Sequence, residues 1–192
     1  LGIATVSHAK TVPTEVIGLG ILLCSSSILI LSESMKGELY VGTGDAIHHI
    51  KAIQNIMDFG ITAGVSSPRM MPYLLFHKFA AEVGLVLGLD GQTAALVLLV
   101  VAYQAAFLAI YVFTKKESNK IVGAIAIAIL ATLSPVVFSA SMAHYRSLSF
   151  VYFVLFFFVA SRRGHRLKRG SIVLLITIAW VYTHHVSIVL AS

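Results

Sequence analysis

Charge is scarce in this chain. Only 11% of its 192 residues are Asp, Glu, Lys or Arg, while 58% are apolar; an ordinary water-soluble domain carries about 25% charged residues. A soluble globular fold is thereby excluded, and a bilayer is the expected solvent. Carboxylates are missing where the chain is most apolar: the hydrophobic runs between residues 94 and 191 contain no Asp or Glu. That disfavours an ion-coupled pump, which places acidic groups within membrane helices. Cysteine is reduced to Cys24, inside the first hydrophobic run, so no intrachain disulfide can form. There is also no cleavable pattern of charged start, short apolar core and small-residue processing site, so the first run counts as a membrane helix. The last run reaches Ser192 with no polar flank, and a longer polytopic protein is expected.

What the chain does have is length of apolar sequence. Runs cover residues 16–31, 94–113, 121–143, 148–160 and 171–191, and crossing hydrocarbon about 30 Å thick takes roughly 20 helical residues. The expectation is an all-α polytopic membrane protein forming one domain over residues 1–192, with about five crossings at 12–31, 94–113, 121–138, 142–160 and 171–192. Pro135 and the serines around it would separate the third and fourth crossings by a turn at 133–141, or the turn lies at 144–147. Lys115, Lys116 and Lys120 in one short connection, and Arg162, Arg163, Arg166, Lys168 and Arg169 in another, place both connections in the cytoplasm. The formal charge of +6 is spent largely on these two tight connections. It therefore reads as topology with some attraction to anionic lipid headgroups, and nucleic acid is not an expected partner.

On this topology the 32–93 connection is extracytoplasmic, and it is too long to be without structure. Ile47, Ile50, Ile53, Ile56 and Met57 recur at helical spacing, with Lys51, Gln54, Asn55 and Asp58 on the other side. The spacing predicts an amphipathic helix over 45–58 lying in the membrane interface. A second in-plane helix is predicted over 68–88, opened by Pro68 and carrying a Lys78–Glu82 pair. Gly88-Leu89-Asp90-Gly91 ends it, with Asp90 capping the next membrane helix. Asp45 stands at the start of the first in-plane helix, where it caps the helix, does chemistry, or both. His48 and His49 follow three and four residues on, about 100° apart around a helix, so they cannot face one site equally.

The acidic Gly44-Asp45 followed by His48, the stretch Pro72-Tyr73-Leu74-Leu75-Phe76-His77, two interfacial helices and then short-looped membrane helices resemble the N-terminal part of a GT-C-type glycosyltransferase. The resemblance implies an integral enzyme of the plasma membrane or an endoplasmic-reticulum equivalent, with its active face extracytoplasmic. It implies a polyprenyl- or dolichyl-phosphate sugar donor and a glycan or protein acceptor. In that family the first-loop acid is a base toward the acceptor or a metal ligand, which here is Asp45. A divalent cation, Mg or Mn, would be held by Asp45 with His48 or His49. Phosphate-binding candidates on the same side are His48, His77, His144, Arg146 and His184, the last in the outer part of the final helix, with Arg69 and Lys51 also available. Between Ser134 and Ser149 there is no carboxylate, so the second acid frequent in related enzymes is missing from this stretch. The rival readings are a transporter or lipid-carrier subunit and a non-catalytic structural subunit.

Overall fold

A computed structural model describes residues 2–7, 12–35, 44–60, 73–141, 147–161 and 166–184, and within them the regular structure is helical throughout. In chain order the helices are α1 (Gly2–Ser7), α2 (Val12–Met35), α3 (Gly44–Phe59), α4 (Leu74–Leu87), α5 (Gly91–Glu117), α6 (Lys120–Thr132), α7 (Ser134–Ser141), α8 (Ser147–Ser161) and α9 (Arg166–His184). Among the described residues two stretches are long and apolar enough to cross a bilayer: Thr14–Ser32 within α2 and the whole of α5. Shorter apolar helices at Lys120–Thr132, Leu148–Ser161 and Gly170–Trp180 accompany them.

The segment expected to cross at 121–138 is divided. Helix α6 stops at Thr132, Leu133 takes extended backbone angles (φ −65°, ψ 117°), and α7 begins at Ser134. Pro135 is the cause, because it has no N–H to continue the α6 ladder and is accommodated only in the first turn of a helix. The break is fully hydrogen-bonded: Leu133 N donates to Ile129 O (3.0 Å), and Leu133 O accepts from Val136 N (2.9 Å) and Val137 N (3.0 Å). One residue thus closes one helix and opens the next. The expected turn at 133–141 is therefore a single-residue break, and residues 142–146 lie outside the described residues.

Helix α5 is the axis of the fold, packing against α2, α3, α4, α6, α7 and α8. Leu99, Tyr103, Ala106 and Phe107 are fully buried along it, at the three- and four-residue spacing of one helix face. They meet Ile30 of α2, Ile53 of α3, Phe76 of α4, Ile127 of α6 and Val151 of α8 in one cluster. The periphery is also apolar: Ile28, Phe59, Val86 and Leu175 are each more than half exposed. Water solvates such a surface poorly and lipid solvates it well.

The joint between α4 and α5 follows the expected local chemistry. Gly88 ends α4 in the left-handed region (φ 66°), which glycine enters without steric cost. Asp90 then caps α5, its carboxylate accepting from Gln92 N and Thr93 N at 3.0 Å and from Thr93 Oγ1 at 2.7 Å. These bonds, those from Thr93 first, hold the Asp90 carboxyl below the usual range.

Candidate functional site

The site forms where α3 and α4 meet the start of α5. Helix α3 buries His49, Ala52, Ile53 and Ile56, while Ile47, His48, Lys51 and Asp58 are exposed. Of the predicted apolar side, Ile53 and Ile56 are buried, Ile50 and Met57 are half-buried and Ile47 is exposed, while His49 takes an inward position. An exposed isoleucine suits an interfacial helix, whose outer side can rest on lipid, and His49 has a polar partner inside. Helix α4 buries Phe76, His77, Ala80, Ala81 and Gly84 and turns Lys78 and Glu82 outward, 3.7 Å apart, as their spacing predicts.

His49 Nδ1 lies 2.6 Å from His77 Nε2. The two residues are 1% and 0% exposed, so this is a hydrogen bond sealed from solvent. Tyr73 packs its ring edge-on against His49 at 5.2 Å between centroids, and Phe76 does so at 6.4 Å. Burial, followed by the nearby charge of His49, pushes the His77 imidazole down from 6.5 to about 3. His77 is therefore neutral at physiological pH.

A second polar contact, half-buried, ties α3 to α5. Gln54 Oε1 accepts from Gly91 N at 2.9 Å, and Gln54 Nε2 donates to Asp58 Oδ1 at 2.9 Å. The first N–H groups of a helix have no partner within it, and here α3 supplies one to α5. The approach is so close that a Cβ on Gly91 would stand 3.1 Å from Gln54 N and 3.2 Å from Ile50 O. On the next turn Gly84 of α4 receives Met57 of α3.

Asp45 is the second residue of α3, one turn before His49 in the helical register. It belongs to the first turn, where the helix dipole favours negative charge. His48 faces away from the buried pair. His77, expected beside a phosphate, is enclosed between α3 and α4 instead. His184 is the final residue of α9; His144, Arg146 and Arg69 lie outside the described residues. His49 and His77 are the expected residues that the fold brings together, and Asp45 stands one turn earlier on the same helix.

His49 Nδ1 is engaged by a nitrogen 2.6 Å away, so a cation held by His49 would be taken at Nε2. Among the described residues no group of three or more His, Cys, Asp or Glu is arranged to hold a metal.

A further polar cluster, at the opposite end of α5, escaped the sequence reading. Glu15 Oε1 of α2 accepts from Tyr111 OH at 2.7 Å and is paired with Lys115 Nζ. The available signal was a carboxylate inside the first hydrophobic run. Between the two ends, Ser26 and Gln104 hydrogen-bond across the α2–α5 contact at 3.0–3.1 Å. Comparison with protein-family models, curated proteins and solved structures finds no match to this chain.

Proposed function

We propose that this chain is the membrane part of a GT-C-type glycosyltransferase that moves a sugar from a lipid-phosphate carrier to a glycan or protein acceptor at the extracytoplasmic face. In this reading α2, α5, α6 with α7, α8 and α9 cross the bilayer, and α3 and α4 lie in its outer interface. The Lys115 end of α5 is cytoplasmic. Asp45 accepts the proton of the acceptor hydroxyl as its oxygen attacks the anomeric carbon. The bond from that carbon to the phosphate oxygen breaks, and the electron pair leaves with the lipid phosphate. His48, His144, Arg146 and His184 are the side chains offered to the phosphate.

The observation that supports this reading best is the anchoring of α3. A general base acts only within hydrogen-bond reach of the proton it removes, and it must be held there by a rigid element. The helix that carries Asp45 in its first turn is fastened within about three turns by two polar contacts, the buried His49–His77 bond and the half-buried one from Gly91 to Gln54. An in-plane helix that only covered lipid would need neither.

The test is transfer from radiolabelled polyprenyl-phosphate sugars by the full-length protein and its Asp45→Asn variant, which keeps shape and removes charge. A general base supplies about 10²–10⁴ in rate, and a loss of that size is expected. Wild-type turnover by Asp45→Asn overturns the assignment.

A further inference from the structure

Helices α5 and α8 run side by side in the same direction. Tyr103 stacks on Phe150 at 5.5 Å between centroids, and about three turns further along both helices Phe113 and Ser161 line one recess. Both helices therefore end at the same side of the bundle. The last turn of α5 carries Lys115 and Lys116. Helix α8 ends at Ser161, and the chain continues directly into Arg162 and Arg163. The recess between these two ends has a volume of 530 Å³ and is lined by Phe113, Lys116, Glu117 and Ser161, within the range of about 300–1,000 Å³ that holds a small ligand.

The electrical character of this end is positive. Lys115 is engaged by Glu15 of α2, whereas Lys116 lines the recess with Glu117 as its acidic neighbour. The two connections that leave α5 and α8 add up to three lysines in 115–120 and five bases in 162–169, against Glu117. The two helix ends contribute about half a negative charge each, which the bases outnumber. A basic hollow between membrane helices, at headgroup depth, selects anionic headgroups.

Below the charged end the same surface turns apolar. Phe157 stands one turn before Ser161 on the same side of α8, and Phe153 one turn before that, their rings 4.7 Å apart and both exposed. On α5 Val112 stands one turn before Lys116 and is exposed, as is Phe113. A free anion would use the charged end alone. A molecule that uses both the charged end and the apolar strip is a phospholipid.

We propose that the recess between the ends of α5 and α8 binds one anionic phospholipid, with its phosphate at Lys116 and Ser161 and an acyl chain along Phe113 and Phe157. Ser161 Oγ donates to Phe158 O at 3.1 Å, and rotation about one bond turns the same hydroxyl toward a phosphate oxygen. The site rests on the membrane placement of α5 and α8 given above and not on the transferase chemistry. It differs from the general attraction of a basic surface in holding one molecule at named residues.

The experiment titrates full-length protein in neutral detergent with phosphatidylglycerol, phosphatidylcholine or glycerol 3-phosphate and counts bound molecules by native mass spectrometry. One phosphatidylglycerol is expected to stay bound at concentrations where the other two do not. Lys116→Gln is expected to weaken its retention about fivefold, and Glu117→Gln to strengthen it. Phe157→Ala is expected to weaken retention of the lipid. Lys120→Gln removes the same charge from the same end without touching the recess, and its effect is expected to be smaller. Equal retention of phosphatidylglycerol and phosphatidylcholine overturns the site, as does a Lys120→Gln effect as large as that of Lys116→Gln. Weaker binding in Glu117→Gln overturns the anionic assignment, because it makes the carboxylate a partner of the headgroup. Glycerol 3-phosphate that competes as well as the lipid overturns the assignment to a lipid. Lys116, Glu117 and Phe157 are exposed, so the variants are expected to keep the wild-type thermal midpoint. Wild-type transfer by Asp45→Asn would remove the transferase reading and leave this site standing, and a failed titration would do the reverse.

Discussion

Helix α5 carries a polar cluster at each end, and the two are built on opposite principles. At its start, α3 and α4 dock through the enclosed bond between His49 and His77, and the half-buried Gln54 ties α3 to α5. At its far end, α2 docks through the Glu15–Lys115 ion pair with Tyr111, and the Lys115 side chain is 46% exposed. A charge taken out of water costs several kcal/mol unless it is compensated, so the sealed end uses groups that can be neutral and the charged end keeps its cation in reach of solvent. Neutral, short and enclosed bonds fix geometry. An exposed ion pair tolerates movement and adds little to stability.

The sharpest way to break this contrast is His77→Ala. It deletes a fully buried ring and its bond to His49, and the expected cost is about 2–4 kcal/mol, read as a lowered thermal midpoint in detergent. The pH dependence should follow the same residue. His77 binds a proton near pH 6.5 when unfolded and only near 3 when folded. Between those values the unfolded state holds more protons, so stability falls as pH drops below about 6.5, by on the order of 1 kcal/mol per pH unit. Above that range this residue contributes no slope, and a midpoint flat from pH 7 to pH 4 would contradict its burial as a neutral group.

Smaller effects sharpen the comparison. Gly91→Ala forces a methyl against the Gln54 N and Ile50 O backbone atoms of α3 and should cost about 1–3 kcal/mol, measurable as faster proteolysis of the 44–60 region. Asp90→Ala removes the α5 cap and should cost about 1 kcal/mol by thermal unfolding. Lys115→Met, at the opposite end, is expected to cost about 0–1 kcal/mol. Should Lys115→Met prove as damaging as His77→Ala, the division between a fixing end and a tolerant end would fail.

What could be read in the sequence was local. The Asp90 cap, the Lys78–Glu82 pair and the interruption beside Pro135 each depend on residues within one or two turns of each other. Spacing within an element is then sufficient. The contacts that build the candidate site join residues far apart in the chain: His49 with His77, Gln54 with Gly91, Glu15 with Tyr111. Periodicity proposes which face of a helix turns inward, not which helix receives it. On α3 the apolar side is legible in Ile53 and Ile56, but the rule that apolar side chains turn inward weakens when the outside is apolar too. Ile47 is accordingly exposed, and nothing in the spacing shows that His49 is buried. Asp45 is legible in the sequence as an acid at a helix start, whereas the residues that fasten its helix are visible only in the fold.

The break at Leu133 has a consequence for what must surround it. In the proposed membrane placement Lys120 marks the cytoplasmic boundary, and the 13 residues of α6 rise about 20 Å, short of the roughly 30 Å of a full hydrocarbon layer. Backbone that leaves the helix at such a depth is tolerated only against protein or a water-filled space. Helix α7 packs against α2 and α5, so in that placement protein answers the requirement, and the break depends on its neighbours in a way an unbroken helix does not.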